Sequence, residues 1–115
     1  MRNDCLFCGI ADGEVPSTRV HEDDQVVAFR DVSPQAPTHV LVIPREHVAS
    51  AAQLDTGHDA LWSRMLHVAQ QVADSEGLTE PGYRLVTNIG SHGGQTVHHL
   101  HLHLLGGRAM TWPPG

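Results

Sequence analysis

Histidine occupies every second position from His99 through His101 to His103, and leucines fill the positions between and after them. In a β-strand successive side chains point to opposite faces of the sheet. The alternation therefore predicts a strand over 99–105 that buries its leucines and presents three imidazoles on the other face. Imidazole has an ordinary pKa close to neutrality, so these side chains suit proton transfer, nucleophilic attack or metal binding.

The composition is that of an ordinary globular domain. The chain has 115 residues, of which 40% are apolar and 17% are charged, and this size predicts a single domain over 1–115. It contains no lysine and carries a net charge of −6, which argues against nucleic acid as a partner. No apolar run is long enough for a membrane span. Because 1–4 does not begin a secretory signal, we expect a cytoplasmic protein.

Hydrophobic periodicity predicts an α+β fold with a mainly antiparallel sheet. Helical spacing of apolar residues predicts the main helix over 57–77, with Gly77 as its stop. A short helical turn is expected over 4–12. Strands are expected over 20–22 and 26–31 as a hairpin, then over 39–44 and 85–89, with the histidine strand last.

Geometry limits how the three histidines share a metal ion. Four residues separate His99 from His103, so their Cα atoms lie about 13 Å apart along a strand. Zinc bonds to imidazole nitrogen are only ~2.1 Å long, so a neighbouring pair such as His99 and His101 could hold one ion but all three could not. At least one histidine is therefore expected to serve catalysis.

Cys5 and Cys8 form a CxxC pair near the start of the chain. Two cysteines in a reducing compartment favour a metal site over a structural disulfide. A redox motif and two ordinary buried thiols are the alternatives, although the thioredoxin-like context of a redox pair is missing. His47 and His99 are candidates for the remaining two ligands of a Cys2His2 zinc site, and spacing alone does not select them.

Longer segments around the histidines carry a resemblance to a known family. They comprise 29–39 (FRDVSPQAPTH), the approach 93–98 (GGQTVH) and the ending 107–115 (GRAMTWPPG). With the alternating histidines, the chain resembles the histidine triad family, and within it the Hint branch. The resemblance implies a five-stranded sheet with one long and one short N-terminal helix. It also implies a two-fold homodimer with a continuous sheet and a site for purine nucleoside monophosphate derivatives.

The resemblance also implies residue roles. His101 would be the nucleophile, His103 would bind phosphate, and His39 would assist by proton transfer and by ordering the nucleophile's surroundings. The nucleotide-binding positions implied are Leu6, Phe7, Ile10, Phe29, Asp31, Val32, Asn88, Gly94, Gln95, Thr96 and Trp112. The ligands of a structural zinc would be Cys5, Cys8, His47 and His99.

The implied activity is hydrolysis of a purine nucleoside phosphoramidate at the α-phosphorus through a nucleotidyl-histidine intermediate. Histidine at position 103, where the uridylyltransferase branch has glutamine, favours hydrolysis over transfer. The alternatives are a dinucleoside polyphosphate hydrolase, a zinc-dependent metallohydrolase and a nucleotide-binding regulatory module. His98 receives no role, and we expect it on the surface or at a dimer contact. We expect four further histidines to face solvent, namely His21, His58, His67 and His92.

Overall fold

A computed structural model describes residues 5–115, and its centre is a five-stranded antiparallel sheet. The strands are β1 (Arg19–Glu22), β2 (Val26–Arg30), β3 (Thr38–Pro44), β4 (Tyr83–Val86) and β5 (Leu102–Gly106). Their order across the sheet is β1-β2-β3-β5-β4. The pairing of β3 with β5 aligns Leu41 with His103 and His39 with Leu105, so the centre of the sheet joins the middle of the chain to its end.

Two α-helices flank the sheet, α1 (Leu6–Ala11) and α2 (Asp59–Ser75). Cys5 caps α1, because its Sγ accepts a hydrogen bond from the backbone N–H of Cys8 at 3.3 Å. Helix α2 follows a 3₁₀ turn (Thr56–His58) that Asp55 caps. Gly77 ends α2 with a φ of 75°, which is a left-handed conformation that favours glycine. The predicted long and short helices are thus both present.

The larger core lies between α2 and one face of the sheet. Apolar residues recur on α2 every three or four positions, so they line a single side of the helix. The leucines between the histidines point into this core, as the alternation predicts. The buried members from the helix and from β5 with its approach are Leu61, Met65, Val68, Ala69, Val72, Ala73, Leu100, Leu102 and Leu104.

The opposite face of the sheet packs against α1 and carries the chemistry. Phe7 from α1 meets Phe29 from β2 edge to face, with ring centroids 5.5 Å apart, a favourable geometry for aromatic pairs. The buried set on this side is Phe7, Ile10, Ala11, Val27, Phe29, Leu41 and Ile43. It fixes α1, and with it the two cysteines, on the same side as the imidazoles.

The predicted histidine strand is wrong in its extent. β5 begins at Leu102, so only His103 of the three histidines lies within a strand. The β3–β5 ladder ends at Val42 and Leu102 although β3 continues to Pro44, because the chain before β5 bonds elsewhere: the N–H of Leu100 donates to the Val48 carbonyl, and the His99 ring donates to the Pro44 carbonyl at 2.9 Å. A side chain thus replaces the backbone partner at this point, while the inward direction of the leucines is kept.

Other boundaries also differ from the sequence prediction. β4 covers 83–86 instead of 85–89, because Thr87 already turns its hydroxyl to the carbonyl of His101. Asp4, where the predicted helical turn begins, lies outside the described residues. Within the described part of the chain, no helix is long and apolar enough to cross a membrane.

Met65 tests the helix–sheet core. Its side chain is fully buried on α2, whereas its neighbour Leu66 is 38% exposed. Met65→Ala should lower the free energy of unfolding by about 2–5 kcal/mol through lost burial and a residual cavity. Leu66→Ala should cost less than about 1 kcal/mol. Urea unfolding followed by circular dichroism measures both, and equal losses in the two variants would contradict the packing described.

Candidate active site and metal centre

The three alternating histidines occupy different environments. His99 lies in a bend and is completely buried, His101 is nearly buried just before β5, and His103 is half-buried within β5. The rings of His101 and His103 are 5.0 Å apart. The three histidines are therefore not equivalent. His99 is the most deeply buried and lies beside the cysteines, whereas His101 and His103 are less buried and lie beside each other.

Four ligand-type side chains converge at the first histidine. The ligand atoms of Cys5, Cys8, His47 and His99 all lie within 4.8 Å of one another. Sulfur to Nδ1 distances are 3.3 Å for Cys5 to His99, 3.3 Å for Cys8 to His47 and 3.5 Å for Cys8 to His99. Zn–S bonds of ~2.3 Å and Zn–N bonds of ~2.1 Å at a tetrahedral angle would separate S from N by about 3.6 Å. The donor set and its spacing fit a four-coordinate zinc ion.

The surroundings of this cluster support metal binding. The Nε2 atom of His99 donates to the carbonyl of Pro44 at 2.9 Å, and this bond directs Nδ1 toward the sulfurs. Such an outer hydrogen bond orients metal-bound histidines in general. Burial raises the pKa of the Cys5 thiol, and a bound cation would reverse this effect by stabilising the thiolate.

Two arginines that the sequence analysis missed hold α1 against the sheet. Arg45 donates to the carbonyl of Ala11 at 2.6 Å, and Arg19 donates to the carbonyl of Ile10. These carbonyls lie at the C-terminal end of the helix, where the Ile10 carbonyl also accepts from the Gly13 N–H at 3.1 Å. The cysteine-bearing helix is therefore anchored at its C-terminal end by contacts that do not involve the metal ligands.

His101 has a defined tautomer when neutral. Its Nδ1 lies 2.7 Å from the carbonyl oxygen of His99, and a carbonyl can only accept, so Nδ1 carries the proton. Nε2 then keeps its lone pair. Phe7 packs edge to face on this imidazole with ring centroids 5.2 Å apart, which fixes the ring's orientation. His101 is not among the four residues whose ligand atoms converge on the metal centre.

His103 and His39 form a hydrogen-bonded pair. The Nδ1 atom of His103 lies 2.9 Å from Nε2 of His39, and Asp31 Oδ2 lies 3.5 Å from the same Nε2. Burial lowers the pKa of His103 to about 4, and the neighbouring His101 and His39 add to this effect. Burial also lowers the pKa of His39, although the charge of Asp31 opposes it. Both imidazoles are therefore neutral at pH 7.

The loop from 88 to 97 leads into the alternating histidines. The Asn88 amide donates to the carbonyl of Gly93 at 2.7 Å, and Gly94 has a φ of 83° that favours glycine. Gln95 is fully engaged within the protein, since it accepts from Gly90 N–H and donates to two backbone carbonyls. Gln95 thus shapes the loop, while the exposed Thr96 keeps its side chain at the surface.

The positions expected to hold the nucleoside divide by exposure. Phe7, Ile10 and Phe29 are buried, whereas Leu6 is 54% and Val32 is 97% exposed. Trp112 in the tail is 82% exposed. An open cavity of about 430 Å³ adjoins the metal centre and is lined by Cys5, Leu6, His47, Thr96, Val97 and His98. The buried apolar positions therefore belong to the core, and the exposed positions are open to solvent.

Two of the histidines expected to face solvent are partly exposed and paired with carboxylates. His21 Nε2 lies 2.7 Å from Asp23, and His58 Nε2 lies 3.2 Å from Glu46. Each ring therefore contacts solvent on one side and a nearby carboxylate on the other. His67, His92 and His98 are exposed as expected.

Comparisons with known proteins show which family the chain belongs to. The family model described as HIT domain matches residues 12–110. Purine nucleoside phosphoramidase of Escherichia coli (strain K12) is 46% identical, with 96% of this chain and 92% of that protein covered. A 14 kDa zinc-binding protein of Zea mays is 50% identical, with 96% and 87% covered.

Solved structures show the same relationship. The crystal structure of a HIT family hydrolase from Legionella pneumophila Philadelphia 1 matches with a TM-score of 0.95 and 56% identity, covering 96% of this chain and 99% of that one. A histidine triad protein from Clostridium difficile matches with a TM-score of 0.93 and 43% identity, covering 96% of each. The family model spans most of the chain, and these relatives match it along nearly its whole length. The chain therefore belongs to the histidine triad (HIT) family.

Proposed function

We propose that this protein is a purine nucleoside phosphoramidate hydrolase in which His101 attacks the α-phosphorus. The observation that carries the proposal is the hydrogen bond from His101 Nδ1 to the carbonyl of His99 at 2.7 Å, which leaves the Nε2 lone pair available. A neutral imidazole is a competent nucleophile near pH 7. The similarity to a named purine nucleoside phosphoramidase supports the same reaction class.

The proposed reaction has two steps. In the first, His101 Nε2 forms a bond to phosphorus while the P–N bond of the substrate breaks, and the leaving amine takes up a proton from the solvent. In the second, water attacks phosphorus and returns a proton to the solvent, the P–N bond to His101 breaks, and a nucleoside monophosphate is released. Splitting one displacement into two lowers each barrier. His103 binds the phosphate oxygens, and His39 supports it through the 2.9 Å contact between the two rings.

The nucleotide is proposed to bind between α1 and the loop at 88–97. Asn88, Gly94 and Thr96 would donate to the phosphate, and glycine there allows close backbone approach. The Gln95 side chain, already fully bonded, acts by holding this loop. Asp31 would accept from ribose hydroxyls. Leu6, Phe7, Ile10, Phe29 and Val32 would contact the nucleoside.

His101→Ala tests the nucleophile. With a purine nucleoside phosphoramidate such as adenosine 5′-monophosphoramidate, kcat/KM should fall on the order of 10³-fold or more, as when other covalent nucleophiles are removed. His67→Ala is the matched control, because that imidazole is exposed on α2, away from the site, and it should retain activity within a few-fold. The rate of amine release measures both, and full activity of His101→Ala would refute the mechanism.

We further propose that Cys5, Cys8, His47 and His99 hold a structural zinc ion. A closed set of four protein ligands is typical of structural sites, because catalytic sites keep an open position. When bound, zinc supplies a cross-link between α1 and the central strands. The similarity to proteins named for zinc binding supports this choice of metal. A reducing cytoplasm would keep both cysteines, which are free thiols here, available as ligands.

Cys8→Ser tests the metal centre. Elemental analysis should find one zinc ion per wild-type chain and a large deficit in the variant, while His67→Ala, an exposed histidine on α2, should keep its zinc. Because metal binding energy is folding energy, the variant and the chelated wild type should unfold at lower temperature. Chelation that stops turnover while thermal stability is unchanged would instead indicate a metallohydrolase.

We also propose a homodimer in which two sheets join at β4. This strand is an edge of the sheet, so one row of its backbone groups has no partner within the sheet. Trp112 lies exposed in the tail and would reach the partner's active site.

Sedimentation velocity tests the assembly. The chain mass is 12.5 kDa, so the protein at micromolar concentration should sediment with twice that mass. A mass of one chain across the whole concentration range would exclude the dimer.

A further inference from the structure

The loop between β2 and β3 contacts the active site through a backbone group. The N–H of Gln35 donates to Nδ1 of His39 at 3.0 Å. A backbone N–H can only donate, so Nδ1 of His39 acts as the acceptor and carries no proton. Neutral His39 must then carry its single proton on Nε2, the atom that faces His103.

This one contact sets the direction of the next hydrogen bond. Nε2 of His39 lies 2.9 Å from Nδ1 of His103, and one proton lies between them. The proton belongs to His39, because the reverse arrangement would leave His39 with a proton on Nδ1 against the Gln35 N–H. His103 accepts at Nδ1, and its own proton is therefore on Nε2.

The two imidazoles at the centre of the site thus differ in their outward nitrogen. His101 has Nδ1 protonated by its bond to the His99 carbonyl and presents a lone pair at Nε2. His103 presents an N–H at Nε2. A lone pair suits attack on phosphorus, and a neutral N–H suits a bond to a phosphate oxygen.

A shared metal ion is the other arrangement that could join Asp31, His39 and His103, whose ligand atoms lie close together. Bonds of ~2.1 Å from zinc to two imidazoles at a tetrahedral angle would hold the nitrogens about 3.4 Å apart. The observed 2.9 Å is the length of an ordinary N–H to N hydrogen bond. The distance therefore favours a proton between the rings.

Several bonds hold the Gln35 backbone in place. Arg108 donates to the Gln35 carbonyl at 3.1 Å, and the Gln35 side chain donates to the Ser33 carbonyl at 2.9 Å. The Ser33 N–H donates to Asp31 at 2.8 Å. The loop is closed at its base by the Asp31 N–H on the carbonyl of His39. The donor that faces His39 is thus fixed from both sides.

We propose that the backbone N–H of Gln35 is a positioning group for the hydrolytic reaction: it fixes His39 as a permanent hydrogen-bond donor that orients His103. This inference rests on the proposed function. It gives His39 a different role from the proton transfer expected from the family resemblance, because His39 cannot accept a proton at Nδ1 without losing the bond from Gln35.

Nitrogen NMR tests the tautomers directly on the wild-type protein as isolated, with ¹⁵N-labelled histidine. Long-range ¹H–¹⁵N correlations should show Nε2 protonated and Nδ1 bare in both His39 and His103, and the opposite pattern in His101, which serves as an internal reference. A protonated Nδ1 on His39 overturns the proposal. This measurement needs no turnover, so it is independent of the test of His101→Ala.

Two substitutions of His39 separate positioning from proton transfer. Glutamine places an amide nitrogen near the former Nε2 and can still donate to His103, whereas asparagine places its amide near the former Nδ1 and cannot reach. His39→Gln should keep kcat within about ten-fold, and His39→Asn should lose on the order of 10²-fold. Neither amide titrates, so equal and large losses would indicate a proton shuttle and overturn the proposal.

Gln35→Pro removes the N–H itself, and Gln35→Ala keeps it, so the second variant is the reference for the first. The NMR spectrum of Gln35→Pro should show His39 as a mixture of tautomers, with a kcat at least ten-fold below that of Gln35→Ala. A single unchanged tautomer in Gln35→Pro would overturn the assigned role of this donor.

Discussion

The antiparallel pairing of β3 with β5 is the contact on which the rest of the site depends. Its register places His103 opposite Leu41, so His39 lies one diagonal step away on the same face and reaches it at 2.9 Å. The same pairing sends Val40, Val42, Leu102 and Leu104 into the core beneath α2. A slip of one residue would exchange the two faces and bury the imidazoles among apolar side chains.

Where that pairing ends, the second half of the site begins. On the N-terminal side of Leu102 the chain lies outside the ladder, and His99 uses three groups at once. Its Nε2 donates to the Pro44 carbonyl, its Nδ1 faces the two sulfurs, and its carbonyl accepts a hydrogen bond from His101 Nδ1. The metal centre and the proposed nucleophile are therefore joined through one residue. Zinc in this account organises the chain around His101 and has no part in bond breaking.

The fold could be predicted from the sequence because the spacing of apolar side chains indicates which face of each helix and strand is buried. The long helix was expected over 57–77 and lies at Asp59–Ser75, and Leu100, Leu102 and Leu104 of the alternating segment are in the core, whereas Leu105 is on the histidine face. The predicted extents of the histidine strand and of β4 were wrong, because the backbone before Leu102 bonds to Val48 instead of β3 and the Thr87 hydroxyl bonds to the His101 carbonyl. The alternating histidines and the cysteine pair were identified from the sequence pattern, whereas their individual roles and the nucleotide-binding positions came from the family resemblance. The hydrogen bond from the Gln35 backbone to His39 could not be predicted from the sequence, because every residue except proline carries the same backbone N–H.

The central claim is that the alternating histidines have unlike roles, with His101 alone forming a bond to phosphorus. Peptide mapping by mass spectrometry after rapid quenching of the reaction under conditions that preserve phosphohistidine tests this most directly. The account predicts a nucleoside monophosphate adduct on His101, with His99 and His103 unmodified. An adduct on His99 or His103, or complete turnover with no adduct on any histidine at any quench time, would contradict it.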